Sequence, residues 1–308
     1  MEGKTKRGAV AAYVVMTAFL FGTMEVSLKV AGSGFDALQL TFLRFAIGGL
    51  VLLPFAVADL RKRQVRLSAG DWGYLLTLGV ICIPFSMALF QIGIMRIHAN
   101  LAAIIISANP VFTMLFAHVL TEDKFTSKKA VVLLLSVAGL VIVADPRTLL
   151  SGSGDAAGLL AAMAGSVSFG LYTAYGKRRV SRIGGMAQNS FSFLLGSAVL
   201  LAFLLASGRP VVQGVTPATL PLLLYLGLFV TGLGYFCFLR AIAVSGPSTA
   251  SLAFFLKPII AVALAAVLLQ EPVTVNVIMG VALLLLGSAF NLSGIRISRR
   301  QGDHARRE

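Results

Sequence analysis

Four ionisable side chains, Glu25, Lys29, Arg44 and Lys257, stand inside long apolar runs of a 308-residue chain. A charge at the centre of a membrane-spanning helix costs at least about 2.5 kcal/mol, so each of the four needs a partner or a task. Lys257 is the deepest. It lies about eleven residues into its run, near the middle of a bilayer at about 1.5 Å rise per residue. An ammonium at that depth suits a carboxylate or another anion, with Asn109, Ser107 and Gln91 as neutral hydrogen-bonding neighbours. The competing expectation is that Lys257 snorkels to one surface, or pairs with a carboxylate of the chain and locks helix packing.

Glu25 and Arg44 fall at similar depths in the first two apolar runs, with Lys29 one helical turn beyond Glu25. Two readings stay open. The three form an ionic lock or gate in which each offsets the burial of the others, including the i, i+4 pair Glu25 and Lys29. Alternatively Glu25 carries a proton, since a buried carboxylate with a raised pKa loads and releases one near neutral pH. Tyr172 and Tyr235 are candidates for the amphipathic wall of a small-solute site, although aromatic residues at helical spacing more often pack. Asp123 and Glu271 each follow an apolar run and are expected to cap the helix that comes next.

The inventory does not fit catalysis. The chain has no Ser-His-Asp set, no phosphate-binding Gly loop and no His-rich metal spacing; His98 and His118 fall near the ends of apolar runs and His304 in the tail. Cys82 and Cys237 sit inside apolar runs and read as small buried hydrophobes. No catalytic residue, metal or cofactor is expected.

The elements that must hold these residues follow from composition. The chain is 57% hydrophobic and 12% charged, with a mean hydropathy of +0.90, whereas a soluble domain is roughly a quarter charged. A soluble surface cannot be covered with so few charges, so lipid is the solvent for most side chains. The net charge of +14 does not imply nucleic-acid binding, because the basic residues occur in short clusters between apolar runs and lack an aromatic-basic stripe.

Runs of about 20 apolar residues bounded by charge, Gly or Pro predict ten transmembrane helices, at 9–30, 37–58, 72–94, 98–120, 128–146, 157–177, 187–207, 217–240, 246–269 and 273–293. The first is too long for a signal-peptide core and is expected to be retained. Sorting the 26 Lys and Arg residues onto alternate sides puts twenty on one side, three on the other and three within spans. The positive-inside rule then places both termini in the cytoplasm.

The same residue types recur at a constant offset of 148. Phe21, Gly22 and Lys29 match Phe169, Gly170 and Lys177; Gly79 matches Gly227, Phe90 matches Phe238, Pro110 matches Pro258 and Gly139 matches Gly287, while Asp123 matches Glu271 in chemistry. Five spans is an odd number, so the second copy enters from the opposite face. The expected fold is an all-α membrane protein of two inverted five-helix repeats, 1–148 and 149–295, with a basic cytoplasmic tail at 296–308. Inverted repeats suit alternating access to a central site. Asn109 and Lys257 are repeat mates, expected to face each other across the pseudo-two-fold axis, and the prolines that follow, Pro110 and Pro258, are expected to break or kink their helices.

The segments ANPVFTMLFAHVLTED (108–123) and LKPIIAVALAAVLLQE (256–271) each place a Pro about one dozen residues before an acid. Together with LLYLGLFVTGLGYFCFLRAIAVSGPSTASL (223–252) and Arg44, they make nearly the whole chain resemble the drug/metabolite transporter superfamily, in particular EamA-type members with two EamA repeats. It departs in having Phe21 where the family often has Trp, and Lys257 where an acid is frequent. The resemblance implies an integral protein of the plasma (bacterial inner) membrane that works without ATP, exporting or exchanging a metabolite such as an amino acid or organic anion, or expelling a toxic compound. Its expected partners are the small-molecule substrate, membrane lipid and, in the proton-carrier reading, a coupling proton. A channel-like protein and a drug or toxic-cation efflux protein of the same fold are the alternatives.

Overall fold

The computed structural model describes residues 2–121, 126–144, 155–245, 253–287 and 289, and these are helical with no strand among them. Helix α1 (Glu2–Gly22) passes through Thr23 into α2 (Met24–Ala31). Helix α3 (Ala37–Lys62) starts where Asp36 accepts hydrogen bonds from Leu38 N (2.9 Å) and Gln39 N (3.3 Å), satisfying donors that the first turn leaves open. Ser68 and Asp71 cap α4 (Ala69–Val80) reciprocally.

The third crossing continues through a π-helical segment, Ile81–Met87, into α5 (Ala88–Arg96). Helices α6 (Ala99–Ser107) and α7 (Asn109–Leu120) meet at Ala108, and α8 is Ser127–Ala144. Beyond lie α9 (Ala156–Gly176), the short α10 (Val180–Ile183), α11 (Gly185–Ala206) and α12 (Leu220–Leu224). A second π-helical segment, Tyr225–Leu233, leads into α13 (Gly234–Ser245), followed by α14 (Ala253–Leu268) and α15 (Val275–Gly287).

Seven helical runs are long and apolar enough to cross a membrane: Gly8–Ala31, Ala37–Lys62, Ala69–Arg96, Ala99–Leu120, Ala156–Gly176, Gly185–Ala206 and Leu220–Val244. The fifth, ninth and tenth spans expected from the sequence coincide with shorter apolar helices, within α8, α14 and α15, and part of each span lies outside the described residues. Large apolar side chains such as Phe19, Leu50, Phe55, Leu134 and Val267 face outward, as a lipid-bathed bundle requires.

The crossings pack in reciprocal pairs. α9 lies on α5 and on α7, while α1 lies on α13 and on α14. α11 lies on α4, and α3 lies on the second π-helical segment. α3 also packs on α11, and α6 on α14. Under the 148-residue register the first three sets of contacts exchange with one another and that of α3 on α11 exchanges with itself, while the mate of α6, 247–255, lies mostly outside the described residues.

Small residues let these helices approach, since lipid supplies no hydrophobic drive between them and packing must do so. A Cβ at Gly93 would lie 2.6 Å from Ala162 N, and one at Gly165 2.7 Å from Phe90 N. Ser86 donates to Gly165 O (2.8 Å), Ser166 to Ile105 O (2.9 Å) and Ser190 to Gly49 O (2.9 Å), so hydroxyls tie neighbouring crossings.

The two pre-repeat prolines differ. Pro110 occupies the first turn of α7, just past the break at Ala108, where a missing N–H costs nothing. Pro258 lies inside α14, which runs on continuously, so the expected break at Pro258 is not found among the described residues. Proline is tolerated inside membrane-spanning helices, where neighbouring helices and local adjustment of the backbone can re-satisfy a freed carbonyl.

Candidate functional site

Glu25 on α2 and Lys257 on α14 form an ion pair of 2.7 Å (Oε1 to Nζ). Their side chains are 0% and 5% exposed, which makes this the most deeply buried ion pair among the described residues. The contact is not aligned as a hydrogen bond, and neither carboxylate oxygen of Glu25 has a hydrogen-bond partner among the described residues. Of the alternatives for Lys257, the geometry is the one in which it pairs with a carboxylate of the chain.

Arg44 on α3 is fully buried beside this pair, within electrostatic reach of Glu25, Tyr235 and Cys82. Its guanidinium lies 4.2 Å from the Phe45 ring centroid, its Nη2 donates to the Met87 sulfur at 3.5 Å, and its Nε is buried without a partner among the described residues. Met87 is the last residue of the first π-helical segment. Gln91, one turn further along, donates from Nε2 to Leu28 O (3.3 Å) on the Glu25 helix, and its Oε1 is orphaned. Glu25, Lys257, Arg44 and Gln91 thus form a buried polar cluster with more hydrogen-bonding capacity than the described protein uses.

The tyrosines flank it. Tyr235 follows the second π-helical segment and makes edge contacts with Phe21 (5.2 Å) and Phe193 (5.1 Å). Tyr172 is buried, stacks on Phe169 and donates its hydroxyl to Asn189 Oδ1 at 3.0 Å. Two residues named from the sequence are turned to local bonds: Ser107 donates to Ala103 O (2.6 Å), and Asn109 accepts from Thr113 Oγ1 (3.2 Å). Lys257 finds its ionic partner in Glu25, not across the axis at Asn109.

Lys29 leaves the expected trio with Glu25 and Arg44. Its ammonium donates to the carbonyls of Met95 and Ile97, at the end of α5 and just before α6. The physical reason is position: a long side chain on the last turn of α2 reaches the free carbonyls at the end of a neighbouring helix. Glu271 also differs from expectation. It caps α6, accepting from Ala99 N (2.7 Å) and Asn100 N (2.9 Å), and not the helix that follows it. Asp123, its repeat mate, lies outside the described residues.

The ends of the bundle carry further ion pairs that sequence reading did not find. Asp71, itself buried, meets Arg179 (2.8 Å) and Arg182 (2.6 Å). Asp36 meets Arg209 at 3.1 Å, and Arg96 meets Asp155 at 2.8 Å. Arg96 together with the amide of Gly158 holds the Asp155 carboxyl below the usual carboxylate range. Each joins a residue before position 148 to one after it, as do Glu25 with Lys257 and Glu271 with the start of α6. The π-helical turns were likewise missed; the first contains Pro84 and the second Gly227 and Gly232. Among the described residues no group of three or more His, Cys, Asp or Glu could hold a metal.

The cluster offers charge and hydrogen-bonding groups, and among the described residues it presents no nucleophile with an adjacent base. Comparison with known proteins agrees in kind. The model of the EamA-like transporter family matches the chain twice, at 8–144 and 156–293, so the two matches begin 148 residues apart. An uncharacterized transporter of Clostridium kluyveri is 34% identical over 286 residues, covering 91% of this chain and 92% of its own. Protein PagO of Salmonella typhimurium is 23% identical, covering 81% and 82% respectively. A solved crystal structure superposes with a TM-score of 0.64 at 18% identity, covering 96% of this chain and 99% of its own, and shares the fold.

Proposed function

The chain belongs to the EamA-like transporter family, and from that membership we propose that it is a secondary transporter of a small metabolite, such as an amino acid or organic anion, working by alternating access. Ten crossings form two inverted five-helix repeats, and both termini lie in the cytoplasm at the bacterial inner membrane. Export or exchange is the direction. The observation that carries the reading is the Glu25–Lys257 pair, buried inside the apolar bundle and joining the two halves.

Three features support it. The helix contacts exchange under the repeat register, as a pseudo-two-fold unit needs in order to present one site to either side. Breakable ionic contacts tie the halves at their ends, Asp71 with Arg179 and Arg182, and Asp36 with Arg209. Among the described residues the ionisable groups buried deep within the spans, Glu25, Arg44 and Lys257, share one region, which suits a carrier with a central site better than a channel lined along its length.

Counterflow in proteoliposomes tests the proposal. A labelled amino acid or organic acid should accumulate above its equilibrium level when the lumen is preloaded with the unlabelled solute, and Lys257→Ala should abolish this while the purified protein remains folded. Wild-type counterflow in a folded Lys257→Ala protein would sink it. The orphaned oxygens of Glu25 favour a second reading in which Glu25 carries a coupling proton; pH-gradient-driven transport unchanged in Glu25→Gln would exclude that role. Two cations against one carboxylate in the cluster make a toxic-cation substrate the weaker alternative.

A further inference from the structure

We infer that Arg44, and not Lys257, is the seat of the substrate's anionic group, and that the cluster takes an organic anion of net charge −1. This rests on the reading of the central cluster as the substrate site.

The inference follows from a charge inventory. Lys257 is already neutralised, because Glu25 stands 2.7 Å from it. Among the described residues Arg44 has no carboxylate in contact; its neighbours are an aromatic face and a thioether sulfur. The remaining carboxylates whose side chains are described are all committed elsewhere: Asp36 to Arg209, Asp59 to Arg63, Asp71 to Arg179 and Arg182, Asp155 to Arg96, and Glu271 to the amides that open α6. Among the described residues the cluster therefore carries one uncompensated positive charge, held out of water on a side chain that cannot give up its proton.

The geometry selects the ligand's chemistry. A guanidinium presents donors in a planar fork that matches a carboxylate, and here the Nε is orphaned while Nη2 holds only a weak sulfur acceptor. A carboxylate docking on the Nε side would satisfy the buried donor and cancel the charge together. Gln91 Oε1, also orphaned, is free to accept from a hydroxyl or amide on the same ligand. A neutral or zwitterionic solute would leave the net charge in place, and a dianion would reverse it.

Thermal unfolding of the purified full-length protein tests this with pairs of probes that differ by one charge, sodium lactate against lactamide and sodium glutamate against glutamine, with sodium chloride as the ionic control. Lactate or glutamate at about a hundred times its dissociation constant should raise the unfolding temperature by about 5 °C, and the neutral partners should not. Arg44→Gln should remove that shift and raise the unfolding temperature of the unliganded protein, because a buried unpaired charge has gone. Arg44→Lys keeps the charge and loses the fork, so it should retain the shift with roughly tenfold weaker affinity; it also covers the case in which Arg44→Gln does not fold.

Equal shifts from the neutral partners, no shift from either anion, an unchanged affinity in Arg44→Lys, or a lower unliganded unfolding temperature in Arg44→Gln would each overturn the inference. If Arg44→Gln kept the anion shift and Lys257→Ala lost it, the anion would sit on Lys257 and only the inference would fall. If both variants kept it, the anion would bind outside the cluster, and the central-site reading would fall as well.

Discussion

Neutralising either partner of the Glu25–Lys257 pair should destabilise the protein, and Glu25→Gln should do so more than Lys257→Met. At 2.7 Å, with an effective dielectric constant of about 20, the attraction is about 6 kcal/mol. Desolvation of two buried ions offsets most of that, so the intact pair is close to neutral in its net effect. Breaking it is a different matter, because the survivor stays buried without compensation at about 3–5 kcal/mol. The asymmetry comes from Arg44. After Lys257→Met, Glu25 still has a cation within electrostatic reach, which puts the cost near the lower figure. After Glu25→Gln, the cluster keeps two buried cations and loses its one carboxylate, which puts it near the upper one. At about 2 °C per kcal/mol for a chain of this size, the unfolding temperature falls by roughly 6 °C and 10 °C. Scanning fluorimetry of the four members of the cycle in one detergent measures this, and the double variant should recover at least half of the Glu25→Gln loss. Additivity within about 0.5 kcal/mol would refute the reasoning, since groups in direct contact must couple.

Two further outcomes follow from the structure. Glu271→Ala strips the acceptors from two buried amides at the start of α6, so it should cost about 2–4 kcal/mol and speed hydrogen exchange at Ala99 and Asn100; unchanged exchange there would refute the cap. With Cys82 and Cys237 replaced by Ser, an impermeant maleimide added to intact cells should label Ser207→Cys but reach Gln64→Cys only after permeabilisation, both positions being exposed. The reverse pattern would place both termini outside.

Much of the architecture was legible along the chain, for a physical reason. Hydropathy depends on local composition, so apolar runs announce crossings without any tertiary information. The repeat was equally legible, and its offset of 148 reappears in the starting points of the two family matches, 8 and 156. The ionisable residues that form the cluster could be named because charge in an apolar run is costly wherever the run ends up. Their partners were harder to see. Helical spacing groups Lys29 with Glu25, yet in the structure it reaches the carbonyls of Met95 and Ile97.

Sequence by itself thus determined a membrane-embedded helical chain with an internal repeat and a short set of buried charges. Only the tertiary structure decided that Glu25 meets Lys257, that Arg44 has no carboxylate in contact among the described residues, and that Glu271 caps a helix of the other half. Those facts depend on where distant helices cross and how each is rotated about its axis, aided by π-helical turns and glycine contacts that periodicity does not encode. An ion pair is a property of two surfaces in contact, and the residues of this one are separated by most of the chain.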